Sequence, residues 1–136
     1  MKRLSLLLIF AFFCIGLHGQ DIRLPEKLVK NQLTAYNNKD IEKFLVNYSD
    51  SVKIYNHPNQ LVMSGKAQMR AAYTPMFANS PELHCTIKNR VVLGNTVIDQ
   101  EHVVFNKNRP AMEVFAMYKI RHGKIQEVFF IEPDKE

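Results

Sequence analysis

The second half of the chain carries four strand-like segments separated by short turn signals. Gly94-Asn95 tolerates positive φ angles and therefore favours a tight hairpin between the first two segments. Three helix-like segments precede the strands, and this order predicts an α+β fold with a mainly antiparallel sheet. The predicted strands cover residues 83–93, 96–106, 111–121 and 125–132.

The three predicted helices have recognisable ends. Pro25 is suited to the first turn of the first helix, where its missing N–H is not needed. Asp40 is a typical N-cap of a short second helix, which we expect to continue through Tyr48 until Ser49-Asp50-Ser51 breaks it. We expect Pro75 to kink or shorten the end of the third helix. One face of that helix carries Met69, Ala72, Tyr73, Met76 and Phe77.

Residues 1–19 have the three parts of a secretory signal peptide. Two basic residues are followed by the apolar run 4–17, which is short for a membrane span, and then by the small residue Gly19. We expect cleavage near Gly19, leaving one secreted or periplasmic domain over residues 20–136. A lipid anchor at Cys14 is the alternative, and the bulky Phe13 before it disfavours that anchor.

Charge and cysteine content exclude two classes of protein. Removing residues 1–19 takes away Lys2 and Arg3 and lowers the formal net charge from +5 to +3. No Lys/Arg run or basic–aromatic stripe follows, so nucleic acid is not an expected partner. Cys85 is then the one remaining cysteine, which excludes an intrachain disulfide. We interpret it as a small buried hydrophobic residue rather than a reactive thiol.

Both faces of the last two predicted strands are apolar. One face must pack against the helices, while the other needs a second cover that no remaining element of the chain supplies. We therefore expect a homodimer. The first face holds Met112, Val114, Ala116, Tyr118, Ile120, Val128 and Phe130, and the second holds Phe115, Met117, Phe129 and Ile131.

Asp99 and Glu101 are the carboxylates with the clearest chemical potential. They stand two positions apart on one strand, so both side chains leave the same face, about 6.5–7 Å apart. Inside a cavity, their like charges would keep one of them protonated near neutrality and form an acid–base pair or a cation clamp. On a solvated face they would be ordinary surface charges.

Several short motifs occur in a characteristic order along the chain. They are AYNNKDI at residues 35–41, YSD at 48–50, SGKA at 64–67 and YKIRHGKI at 118–125. Their order and spacing resemble the nuclear transport factor 2-like superfamily, in the branch of SnoaL-like polyketide cyclases and ketosteroid isomerases. The resemblance spans residues 28–131. It implies a cone-shaped fold in which a highly curved, mixed sheet wraps three helices around an apolar pocket, with Asp99 and Glu101 turned inward.

The resemblance also allows a comparison with the residues that ketosteroid isomerases use. Those enzymes have a helix Tyr and a strand Asp as oxyanion donors and a second Asp as base. The matching positions here hold Gln32, Ala116 and His57, so steroid isomerisation by that mechanism is not expected. His57 remains a candidate base, because an imidazole titrates near neutrality, or it is an exposed turn residue.

Gln32 and Ala116 are candidate ligand-binding residues by this comparison, and other residues are candidates from their positions on the helices and strands. Glu132 falls at the pocket mouth or is a frayed C-terminal charge, and the phenols of Tyr36, Tyr73 and Tyr118 lie in the pocket or in the core. The side chains of Met112, Val114, Val128 and Phe130 either line a void or fill the cone. No tight metal-ligand spacing, Gly-rich phosphate loop or nucleophile motif occurs, so we expect no metal and no other cofactor.

Two functions fit these observations. The first is an exported domain that binds a small apolar or aromatic molecule, with His57, Asp99 and Glu101 as candidate acid–base groups for isomerase- or lyase-like chemistry. The second is a non-catalytic ligand-binding or protein-interaction module that acts through the outer surface of a dimeric sheet. The contents of the cone distinguish them.

Overall fold

The computed structural model describes residues 23–134. The predicted signal peptide and its cleavage site lie outside this range. Three helices are present: α1 (Arg23–Asn37), α2 (Ile41–Leu45) and α3 (Lys66–Asn79). The six strands are β1 (Tyr48–Asn56), β2 (Gln60–Ser64), β3 (His84–Leu93), β4 (Thr96–Val104), β5 (Met112–Arg121) and β6 (Lys124–Ile131).

The strands form one open, curved sheet in the order β2-β1-β6-β5-β4-β3. β1 and β6 are parallel, and all other neighbours are antiparallel. The β3–β4 hairpin turns at Gly94, whose φ of 54° is left-handed, as predicted from Gly94-Asn95. The predicted α+β class and curved mixed sheet are therefore confirmed.

The ends of two helices differ from the prediction. Asp40 caps α2 as expected, since its Oδ1 accepts from Lys43 N at 3.0 Å, but the helix stops at Leu45 and Tyr48 begins β1. Asn47 explains the early end of the helix. Its Nδ2 donates at 2.8 Å to the carbonyl oxygen of Lys43, which lies in the last turn, where carbonyl groups lack an intrahelical donor. α3, by contrast, runs past Pro75 to its end four residues later, so the loss of one N–H donor does not end it.

The core lies between the helices and the concave face of the sheet. β4 alternates strictly, with every second side chain from Val97 to Val103 buried and those between them half-buried. Asp99 and Glu101 belong to the buried set, so the predicted inward direction of both is confirmed. The largest fully buried side chains are Phe44, Leu45, Ile54, Met69, Leu83 and Ile125. The convex face carries half-buried apolar residues around Phe115, which is 46% exposed.

Candidate functional site

A cavity of about 240 Å³ lies between the helices and the concave face of the sheet. Aromatic rings, methionines and valines make up most of its wall, and the polar side chains are few. The polar residues other than tyrosine and cysteine that line it are Gln32, Asn56, Glu101 and Glu132. The tyrosines are Tyr36, Tyr48, Tyr73 and Tyr118. This composition, an apolar wall with a few convergent polar groups, is typical of small-molecule sites.

A directional chain of hydrogen bonds joins four of the lining residues, two of which are tyrosines. Tyr48 in β1 donates its hydroxyl to Gln32 Oε1 at 3.0 Å. Gln32 Nε2 donates to the Tyr118 hydroxyl at 3.2 Å, and that hydroxyl donates to Glu101 Oε1 at 2.8 Å. All three donors point toward Glu101, so the chain ends on its carboxylate and orients it.

Glu101 is the titratable group best placed for chemistry. Its side chain is 7% exposed, and burial raises its pKa from the ordinary 4.5 to about 7. The Tyr118 hydrogen bond opposes this shift, since it stabilises the charged form, while the neighbouring charge of Asp99 reinforces it. A carboxyl that titrates near neutrality populates both protonation states, as a general acid or base requires.

Asp99 lies behind the cavity wall and is already paired. Its Oδ1 accepts from Arg90 Nε at 2.6 Å and its Oδ2 from Arg90 Nη2 at 2.7 Å. Asp99 is fully buried, and the Arg90 side chain is 16% exposed. This bidentate geometry fixes both carboxylate oxygens. The structure therefore separates the two predicted carboxylates, with Glu101 at the cavity and Asp99 in an internal ion pair.

His57 does not reach the cavity. It is exposed in the turn after β1, where its backbone N–H donates to Phe130 O at 2.8 Å. Asn56 lines the cavity, and the next residue leaves the opposite face of an extended chain. His57 instead borders a groove on the convex side of the sheet with Gln100 and Phe115. Its catalytic role is thus not supported by its position.

Two phenols that face the cavity have no hydrogen-bond partner among residues 23–134. They belong to Tyr36 on α1 and Tyr73 on α3, whose ring centroids are 6.4 Å apart. Burial raises the pKa of both phenols. Each therefore stays protonated at neutral pH and is available to donate a hydrogen bond to a bound molecule.

Most of the predicted ligand-binding residues line the cavity. Those that do so are Gln32, Tyr36, Tyr73, Met112, Val114, Tyr118, Phe130 and Glu132. Ala116 and Val128 are buried in the core, and neither is among the lining residues.

Other lining residues were missed, among them Tyr48, Asn56, Met63 and Cys85. Tyr48 was assigned to a helix, and ending that helix earlier would have revealed it. Cys85 is buried, as predicted. Burial and the charge of Glu101 raise its thiol pKa, so it is not a reactive thiolate.

Within residues 23–134, no three His, Cys, Asp or Glu side chains come close enough together to hold a metal ion. None of the helices there combines the length and apolar character that a membrane span requires.

Solved structures share this fold. An uncharacterized cystatin-fold protein from Novosphingobium aromaticivorans superposes with a TM-score of 0.72 and 26% identity, covering 79% of this chain and 97% of that one. A SnoaL-like protein of unknown function from Burkholderia thailandensis gives 0.69 and 12%, covering 82% and 95%. An LEH-like epoxide hydrolase from M. tuberculosis gives 0.67 and 14%, covering 81% and 83%.

The sequence comparisons identify the family. No curated protein matches the chain significantly. The SnoaL-like domain, however, matches residues 29–128, which is well over half of the sequence. This match agrees with the motifs at residues 35–41 and 118–125 and with the shared fold. The chain therefore belongs to the SnoaL-like domain family of the nuclear transport factor 2-like superfamily.

Proposed function

We propose that the chain is an exported domain whose cavity binds a small, mostly apolar or aromatic molecule and exchanges a proton with it through Glu101. One observation carries this proposal: a 7% exposed carboxyl lies in the wall of a largely apolar 240 Å³ cavity. Burying a carboxyl in such a wall is costly, so a polar group there is a candidate for function.

The surrounding groups suit an isomerase- or lyase-like proton transfer. Ionised Glu101 can take a proton from a carbon next to a carbonyl group, and the C–H bonding electrons then form an enolate. The free phenols of Tyr36 and Tyr73 are donors for the developing negative charge. Glu101 then returns the proton. Ala116, at the position of the isomerase acid, has no donor, so this arrangement differs from that of a standard ketosteroid isomerase.

The comparisons support this proposal only through the fold. The M. tuberculosis neighbour is an epoxide hydrolase, so a protein with this cone-shaped fold can act as an enzyme on a small molecule. At 14% identity the likeness does not transfer a substrate or a mechanism.

Binding can be tested with tryptophol, a neutral indole alcohol. The chain contains no tryptophan, so all indole fluorescence comes from the ligand. We expect saturable binding. Val114→Phe should abolish it, because the larger phenylalanine side chain fills the cavity that Val114 lines. Val91→Phe, on the exposed edge of β3, should bind normally. Binding that is unaffected by Val114→Phe would place the ligand elsewhere.

Proton transfer can be tested with 2-tetralone, a neutral, benzo-fused cyclic ketone of suitable size. In D₂O we expect the protein to catalyse the exchange of the ketone's α-hydrogens for deuterium, as followed by NMR. The Glu101→Gln variant should lose this activity. If tryptophol binds but no exchange occurs, the function reduces to binding.

The second candidate function is interaction through the convex face of the sheet. Phe115 is 46% exposed there, and Tyr55 stacks on Phe129 with centroids 4.8 Å apart. Lys119 Nζ lies 5.3 Å from the centre of the Phe129 ring. An apolar, aromatic patch of this kind is typical of protein interfaces. We propose that a second copy of the chain covers it.

A further inference from the structure

The two buried carboxylates of β4 differ in their partners. Asp99 is matched by the bidentate guanidinium of Arg90. Glu101 receives a hydrogen bond from the Tyr118 hydroxyl. Among residues 23–134 it has no cationic partner of its own. Buried charges in proteins are normally paired, and a carboxylate can accept about four hydrogen bonds. Glu101 therefore has acceptor capacity left for a cation.

The charge around the cavity is one-sided. Two of the described residues that line it are acidic, Glu101 and Glu132, and none is Lys, Arg or His. The complete chain has a formal charge of +5, so this acidity does not follow from its composition. A carboxylate or phosphate ligand would meet repulsion here without any cationic group to receive it.

Aromatic rings surround the same space. Phe44 lies 5.1 Å from Tyr48 and 4.8 Å from Tyr73, measured between ring centroids, and all three line the cavity. Tyr36 belongs to the same cluster, with its ring centroid 6.0 Å from that of Phe44. Aromatic rings attract ammonium groups through their quadrupoles, and cages of such rings recognise alkylated amines. The wall thus suits a cation that also carries an apolar body.

We propose that the molecule held in the cavity is an apolar amine of the arylalkylamine class, whose ammonium group pairs with Glu101. Its apolar body would pack against the methionine and valine side chains of the wall. This inference rests on the binding part of the proposed function, because it takes the same cavity as the binding site and uses Glu101 as a counter-charge. It goes further in naming the charge and the chemical class of the ligand.

Three indoles that share a ring and a two-carbon linker test the proposal: tryptamine, tryptophol and indole-3-propionate. They are cationic, neutral and anionic at pH 8, and ligand fluorescence reads each without a protein tryptophan background. We expect tryptamine to bind at least about tenfold more tightly than tryptophol, and indole-3-propionate to bind most weakly. The comparison uses the unaltered chain and therefore does not depend on the folding of any variant.

A matched pair of variants tests the residue. Glu101→Gln keeps the shape of the side chain and should reduce the tryptamine advantage to less than about twofold. Glu42→Gln, which alters an exposed carboxylate paired with Arg70, should leave the advantage unchanged.

The outcomes separate the two proposals. If tryptophol binds as tightly as tryptamine, the amine proposal is wrong and the cavity function stands. If none of the three binds, both are wrong. A tryptamine advantage that survives in folded Glu101→Gln would contradict the pairing with Glu101.

Discussion

The Tyr118 hydroxyl donates to Glu101 Oε1 at 2.8 Å across the β4–β5 pair. This contact joins the buried carboxylate of Glu101, in the cavity wall, to a chain of donors. The chain starts at Tyr48 in β1 and passes through Gln32 to Tyr118. The Tyr118 hydrogen bond stabilises the charged form of Glu101 against the effect of burial. The proposed chemistry depends on the balance between burial, which raises the pKa of Glu101, and this hydrogen bond, which lowers it.

Tyr118→Phe should raise the pKa of Glu101 above 7, because it removes a donor to the carboxylate. It also leaves Gln32 Nε2 without its acceptor, which should cost about 1–3 kcal/mol of unfolding free energy. NMR titration of the Glu101 side-chain carboxyl measures the first effect, and urea unfolding measures the second. Tyr55→Phe, on the convex face, is the control. An unchanged or lower pKa in Tyr118→Phe would show that the hydrogen bond does not tune Glu101.

Glu101 should make the protein less stable as the pH rises. Its folded pKa of about 7 exceeds the ordinary 4.5, so the folded state holds the proton more tightly than the unfolded state. This contribution to stability is fully present below about pH 4.5 and is lost as the pH rises through 7. We therefore expect the unfolding free energy of Glu101→Gln, relative to that of the wild type, to increase by up to roughly 3 kcal/mol between pH 4.5 and pH 8.

Urea unfolding of both proteins at pH 4.5, 6 and 8 measures this difference. Glu113→Gln, which alters a surface carboxylate whose pKa the partners Lys88 and His102 lower, controls for the general effect of removing a carboxylate. A difference between the wild type and Glu101→Gln that does not change with pH would contradict the raised pKa.

Arg90→Met should be strongly destabilising, by about 3–5 kcal/mol, because it leaves the fully buried Asp99 without a counter-charge. Adding Asp99→Leu should recover much of that loss, since the orphaned charge is then removed as well. Unfolding free energies of the wild type, the two single variants and the double variant form a thermodynamic cycle. Arg70→Ala, which breaks an exposed pair with Glu42, should cost less than about 1 kcal/mol. A similarly small cost for Arg90→Met would mean that Asp99 is not held as an ion.

Phe115→Lys should convert the proposed dimer to a monomer, because it places a charge in the centre of the convex apolar patch. Val62→Lys, at a site of similar exposure on β2, should leave the assembly unchanged. Sedimentation velocity of the mature chain distinguishes the two masses. A wild-type protein that is monomeric at high micromolar concentration would contradict the proposed interface.

The strand pattern made most of the fold predictable from the sequence, whereas the end of α2 was not. Alternation in β4 placed Asp99 and Glu101 on one face, and the family resemblance, not the alternation, indicated that this face is turned inward. The boundary between α2 and β1 depends partly on the local contact of the Asn47 side chain with the Lys43 carbonyl and partly on a tertiary contact, the pairing of Tyr48 with Ile125 of β6. Propensity cannot anticipate that contact, so Tyr48 was placed on the wrong element.

The partner of Asp99 was accessible from the sequence but was overlooked. A two-residue turn at Gly94-Asn95 pairs Leu93 with Thr96, and counting outward places Arg90 opposite Asp99, as observed. The position of His57 was harder to predict, because counting along a family pattern does not say which way the first residue of a turn points after the strand ends at Asn56.

A crystal of the mature chain soaked with tryptophol would show whether the ligand lies beside Glu101. We expect electron density for the indole ring inside the cavity, with the ligand hydroxyl within about 3.2 Å of a Glu101 carboxylate oxygen. Density on the convex face only, or an empty cavity at a ligand concentration that saturates binding in solution, would contradict this expectation.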